Sequence, residues 1–204
     1  MIRKSSGQQL TIFAIYFDGT STPSRDECRT IVEHILREYV SGNQSIKLLF
    51  DDYGKPFVEN NNRLSLSYAH SRKYLVIAIS PSGENIGIDT EPSDRLDEIL
   101  ELKDSAFSSA ELAGLIGADY VNHWCIKEAA VKRLGKGFRI ADPSHISIKT
   151  NDKSYKLYLD DTEMQNGYFV SVILGENSIV ICANESINNF QLHSRRLSDI
   201  NVKE

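Results

Sequence analysis

Residues 86–92 read Ile-Gly-Ile-Asp-Thr-Glu-Pro, and this segment limits the fold more than any other. Strand side chains alternate between faces, so Asp89 and Glu91 project one way while Ile86, Ile88 and Thr90 project the other. Pro92 closes the strand, because proline interrupts a central ladder. Further on, Trp124, Glu128 and Lys132 recur at i, i+4 and i+8, one face of a helix. That helix is expected over residues 120–134. It stops at Gly135 and Gly137, which accept the left-handed conformations that end helices. Periodicity therefore gives an α+β chain.

The remaining pattern fills in around these two elements. The apolar run 10–17 has the outline of a signal peptide behind Arg3 and Lys4. It is short, runs into Asp18 and lacks an Ala-x-Ala-like site, so a buried strand is the better reading. A turn or helix start at 20–24 leads into a helix over 25–40, ended by Ser41-Gly42-Asn43. Strands are expected at 46–50, 64–69 and 74–80, with a Gly/Pro-punctuated loop at 51–56, a turn at His70 and another at 81–85. Ser108 with Glu111 forms a capping box, which is favoured over a catalytic role for Glu111. Antiparallel strands follow at 146–148, 155–159, 168–174 and 179–183. The polar tail after Glu185 is expected to fray or to pack along the surface. The division is a half at 1–82, a half at 83–185 that carries the acids, and a tail at 186–204.

Composition narrows the function classes. The 204 residues are 41% hydrophobic, enough for a sizeable core. A formal charge of −5 argues against nucleic acid. Residues 127–139 nevertheless carry Lys127, Lys132, Arg133, Lys136 and Arg139 against Glu128 alone, a basic stretch suited to a pyrophosphate or an acidic protein. Cys28, Cys125 and Cys182 have no Cys-x-x-Cys spacing and read as reduced cytosolic thiols. No run approaches the roughly 20 apolar residues of a membrane span. The chain is expected to be cytoplasmic.

Three carboxylates that can converge, Asp89, Glu91 and Glu128, suggest a Mg²⁺ site, and a lysine one turn beyond the last can hold a phosphate. Each alone is as readily a surface ion pair, Glu128 with Lys132 in particular. The five histidines show no His-Glu-x-x-His, and neither a P-loop nor a Gly-x-Gly-x-x-Gly is present.

Four blocks, in order, resemble the 4′-phosphopantetheinyl transferases: Gly54-Lys55-Pro56, Leu66-Ser67-Tyr68-Ala69-His70-Ser71, Gly87-Ile88-Asp89-Thr90-Glu91, and Phe107-Ser108-x-x-Glu111 with Trp124-x-x-Lys127-Glu128-Ala129-x-x-Lys132. Length makes the chain similar to the longer, single-chain type that activates peptide synthetases and polyketide synthases of secondary metabolite biosynthesis. The resemblance implies two similar α/β halves related by a pseudo-twofold, with the active site at their interface. It implies transfer of 4′-phosphopantetheine from coenzyme A to a serine of an apo acyl, peptidyl or aryl carrier protein, releasing 3′,5′-ADP. Mg²⁺, with Mn²⁺ as a substitute, would be held by Asp89, Glu91 and Glu128; Glu128 and Lys132 would be catalytic. Coenzyme A would meet Lys55, His70, Ser71, Lys73 and Lys132, with His70 on the 3′-phosphate. Ala69 stands where the family usually has serine, which removes one phosphate hydrogen bond. A monomer with no nucleic-acid or membrane partner is implied. Two alternatives remain: a metal-dependent phosphodiester hydrolase and a non-catalytic carrier-protein binder.

Overall fold

The first strand is apolar from Leu10 to Ile15 except at Thr11, because both of its faces are buried there. In the computed structural model, which describes residues 9–18, 22–40, 46–61 and 63–200, β1 (Gln9–Tyr16) lies beside β5 (Tyr74–Ser80) in one sheet. One face of this pair, with Phe13, Ile15, Leu75, Ile77 and Ile79, packs on α1 (Arg25–Val40) through Ile31, Val32, Ile35 and Leu36. Ser24 starts that helix with a reciprocal cap: its hydroxyl accepts from the Glu27 amide, and Glu27 accepts from the Ser24 amide. The other face, with Leu10, Ile12, Ala14, Val76 and Ala78, meets a second sheet.

The first sheet runs β11-β1-β5-β4, with β4 at Ser65–His70 and β11 at Asn189–Arg196. A two-stranded ribbon of β2 (Leu48–Phe50) and β3 (Pro56–Val58) stands beside it. The second sheet runs β6-β10-β9-β8-β7, entirely antiparallel, from β6 (Gly87–Pro92), β7 (Ile146–Asn151), β8 (Ser154–Leu159), β9 (Thr162–Leu174) and β10 (Asn177–Ala183). Three short helices, α2 (Leu96–Glu101), α3 (Lys103–Ala106) and α4 (Ser109–Leu112), lead to α5 (Asp119–Leu134). The layers are therefore α1, first sheet, second sheet, α5: an α+β fold of two α/β halves.

Strands β6 and β10 are buried on both faces, and the alternation decides what each face does. Ile86, Ile88, Ile179 and Ile181 enter the core between the sheets, while Val180 and Cys182 pack under Cys125, Ile126, Ala129 and Ala130 of α5. Gly87, Asp89 and Glu91 share that helix-facing side. A Cβ on Gly87 would lie 1.9 Å from the Ala129 carbonyl oxygen, so only glycine lets α5 settle onto β6 here. The helix ends as expected at Gly135 (φ 81°), with Gly137 (φ 59°) beyond it.

Two segments depart from expectation. The tail is not merely laid on the surface, because β11 pairs in parallel with β1 from Asn189↔Gln9 to Arg196↔Tyr16. Its polar residues suit an exposed edge strand, where charge discourages pairing between molecules. Strand β9 begins at Thr162, well before the expected 168, because its polar first half pairs with β8 across an irregularity at Leu157/Tyr158. Part of the expected turn at 20–24 and the expected helix stop at 41–43 lie outside the described residues.

Candidate active site

The approach of α5 at Gly87 puts Glu128 and Lys132 over the two strand acids. Lys132 Nζ donates to Asp89 Oδ1 at 2.6 Å. Asp89 Oδ2 is buried without a hydrogen-bond partner, and the neighbouring Cys125 thiol lies 3.9 Å from the Ser178 carbonyl. Glu91 accepts from Arg95 Nη1 at both oxygens, 2.6 and 2.7 Å.

The electrostatics are those of three acids held close together. Burial, then the charges of Asp89 and Glu91, raise Glu128 to about 7. Burial and Asp89 also raise Glu91. Burial acts to lower Lys132, but Asp89 and Glu128 outweigh it and its affinity for a proton is raised. Among the described residues no group of three or more His, Cys, Asp or Glu stands arranged to hold a metal ion. Arg95 and Lys132 now serve as the counter-charges. The donor set nonetheless fits a hard divalent cation: its ligands are carboxylate oxygens, and one of them, Asp89 Oδ2, is desolvated with nothing to bind.

Lys132 also lines two adjoining cavities. One, of about 570 Å³, is bounded by Arg25, Arg29, Phe50, Tyr68, Ala69 and His70. The other, of about 230 Å³, is bounded by Tyr53, Lys55, Pro56, Ser67, Tyr68, Gly135 and Gly137. Both halves contribute walls, so the cleft lies at their junction, where the Ile88 amide donates to Ser67 Oγ at 3.1 Å. Lys55 reaches Asn85 Oδ1 (3.0 Å) and the Arg133 carbonyl (3.3 Å), and burial lowers its pKa. Ala69 borders the larger cavity, but its side chain is buried in the core between the sheets.

The structure thus brings Asp89, Glu91, Glu128 and Lys132 together, with Lys55 and His70 along the cleft. Ser71 and Lys73 are not among the residues bounding it. Ser71 is buried at the β4–β5 turn and accepts from Asn177 Nδ2 at 2.7 Å, and Lys73 is exposed in the same turn. Arg25 and Arg29 were missed, although their i, i+4 spacing at a helix start was visible in the sequence. Arg95 was missed too.

The basic stretch at 127–139 needs correction, because helix packing divides it. Lys127 is wholly buried and donates to Glu111 Oε2 at 2.8 Å and to the Ala106 carbonyl at 2.9 Å. Arg133 is buried and donates to Tyr155, to Asn184 Oδ1 and to the Asn166 carbonyl. Only Lys136 and Arg139 are exposed, and Arg139 donates to the Asp52 carbonyl at 2.6 Å. Glu111 forms the expected capping box with Ser108 and also accepts from His123 and the Ile148 amide, both at 2.9 Å. Trp124 packs between Phe107 and Phe138.

Lys132 thus joins the carboxylate cluster to a cationic cleft between the two α/β halves. Residues 85–183 match the family model of the 4′-phosphopantetheinyl transferase superfamily. The chain is 26% identical over 169 residues to the 4′-phosphopantetheinyl transferase Sfp of Bacillus subtilis (strain 168), covering 72% of this chain and 74% of the relative. It is 29% identical over 129 residues to the 4′-phosphopantetheinyl transferase gsp of Aneurinibacillus migulanus, covering 57% and 52%. The matched family is the 4′-phosphopantetheinyl transferase superfamily, and both relatives carry the name of that enzyme class.

Proposed function

We propose that the chain transfers 4′-phosphopantetheine from coenzyme A to a serine hydroxyl of an apo carrier protein, releasing 3′,5′-ADP. The observation that carries this reading is the double placement of Lys132. Its ammonium pairs with Asp89 and lines the cleft that holds His70 and Arg29 on one side and Lys55 on the other. A pyrophosphate lying in that cleft would meet cations along its length and the carboxylates at one point. Asp89, Glu91 and Glu128 would hold a Mg²⁺ or Mn²⁺ ion there, supplying charge neutralisation to the pyrophosphate.

The remaining work falls to the chain's own residues. The serine Oγ forms a bond to the phosphorus that bears pantetheine, and that phosphorus breaks its bond to the bridging oxygen. Glu128 accepts the serine proton, directly or through a water. Lys132 offsets the charge that collects on the departing oxygen. His70, Arg25 and Arg29 bind the nucleotide phosphates and orient them; such fixing of groups in line supplies much of the acceleration in phosphoryl transfer.

Intact-mass measurement of an apo carrier protein, incubated with enzyme, coenzyme A and Mg²⁺, tests this reading. A gain of one phosphopantetheine supports it. Coenzyme A breakdown with an unmodified carrier would establish a hydrolase, and no change in either would leave a carrier-binding protein.

We divide the chain into a half at 1–82 and a half at 83–185, and β11 pairs with β1 of the first half. We place residues 189–196 with the first half for that reason. Among the described residues no helix is long and apolar enough to cross a membrane.

A further inference from the structure

Arg95 Nη1 stands between the two carboxylate oxygens of Glu91, 2.6 Å from one and 2.7 Å from the other. That is where a cation held by both oxygens of a carboxylate would sit. The Glu91 side chain is only 10% exposed and Arg95 is 31% exposed, so the acid is fixed while its partner reaches in from the rim. Arg95 has a second anchor outside: its Nε donates to Glu98 Oε2 at 2.9 Å. Glu98 in turn pairs with Arg72, and the Arg95 side chain borders an open cavity of about 460 Å³ beside Leu102, Trp124 and Pro143. The guanidinium can therefore leave Glu91, keep Glu98, and turn into space that already exists.

We propose that Arg95 is a built-in counter-ion for Glu91, which neutralises the buried acid when no divalent cation is present and withdraws to Glu98 when one binds. This rests on reading Asp89, Glu91 and Glu128 as cation ligands. Asp89 and Glu91 lie on one strand face with Glu128 of α5 over them, and like charges this close repel one another. Lys132 relieves Asp89, and Arg95 relieves Glu91. A cation that needs Glu91 must first displace the arginine, so Arg95 sets the affinity for the ion without touching substrate. It is a positioning residue.

Mn²⁺ titration of the metal-free chain, followed by electron paramagnetic resonance, separates the possibilities. Arg95→Ala should bind Mn²⁺ about tenfold more tightly than wild type, the scale of one charge-assisted contact removed. Its melting temperature should fall in EDTA and recover in saturating Mn²⁺, a rescue that a purely structural arginine would not give. Glu98→Gln, which removes the outer anchor, should weaken Mn²⁺ binding severalfold. If all three chains bind Mn²⁺ equally and Asp89→Asn abolishes binding, the cation reading stands and the role of Arg95 is refuted. Weaker binding by Arg95→Ala would refute it as well, since the arginine would then be organising Glu91. If none of the chains binds Mn²⁺, the cation reading fails first and the inference with it.

Discussion

Lys127 donates to Glu111 at 2.8 Å from a position with no solvent exposure at all. A buried lysine is tolerated only with a partner that keeps its charge, and Glu111 is that partner, shared with His123, Ser108 and the Ile148 amide. Removing one member of such a pair costs about 3–5 kcal/mol, so Glu111→Gln should lower the melting temperature by about 10 °C at pH 7. Burial acts to raise Glu111, but His123 and Lys127 outweigh it and hold it at about 2, below the usual carboxylate range. A depressed carboxylate contributes stability that is present above its unfolded value and lost as pH falls toward its folded one. The wild-type melting curve should therefore weaken between about pH 4.5 and 2, and Glu111→Gln should lose part of that slope. A variant that melts like wild type at pH 7 would show the network to be dispensable.

Gly87→Ala should separate the strand acids from the helix. The added Cβ would press on the Ala129 carbonyl and the Arg133 amide, and overpacking of this kind typically costs about 1–3 kcal/mol. Because α5 carries both Glu128 and Lys132, transfer activity should fall further than stability does. Wild-type turnover in a variant with a lowered melting temperature would mean that the close approach serves the fold alone.

His70 borders the larger cavity together with Arg25 and Arg29. One charge-assisted hydrogen bond to the 3′-phosphate is worth roughly tenfold to a hundredfold in affinity. His70→Ala should weaken coenzyme A much more than dephospho-coenzyme A, as calorimetric titration would show. Equal weakening of both ligands would make His70 a prop for the β4–β5 turn.

Carrier docking by charge, if it uses this helix end, is left to Lys136 and Arg139. Lys136→Glu should raise the KM for an acidic carrier and not for coenzyme A, with an effect that fades as salt is added. Arg133→Glu should instead lower the melting temperature, since it strips Tyr155 and Asn184 of a buried partner. A salt-independent Lys136 effect on both KM values would remove carrier steering from this surface.

Sequence periodicity located the strand of Asp89, the helix of Glu128 and the glycines that end it, because alternation and helical spacing survive wherever one face is buried. It also paired Ser108 with Glu111. It could not separate Lys127 and Arg133 from Lys136 and Arg139. All four are basic letters in one run, and only packing against α3, α4 and β9 decides which are buried. Strand β11 was hidden for a related reason: an exposed edge strand need not alternate. Arg95 lay outside every motif, and only the fold brings it back onto Glu91.

Asp89 is the most direct place to test the carboxylate cluster, since one of its oxygens meets Lys132 and the other is buried with no partner. Intact-mass measurement of an apo carrier protein should show one added phosphopantetheine with wild-type enzyme, coenzyme A and Mg²⁺, and none in excess EDTA. Asp89→Ala should give no added mass in Mg²⁺ while melting near the wild-type temperature. Full modification of the carrier in excess EDTA, or by Asp89→Ala, would contradict a metal-assisted transfer at these carboxylates.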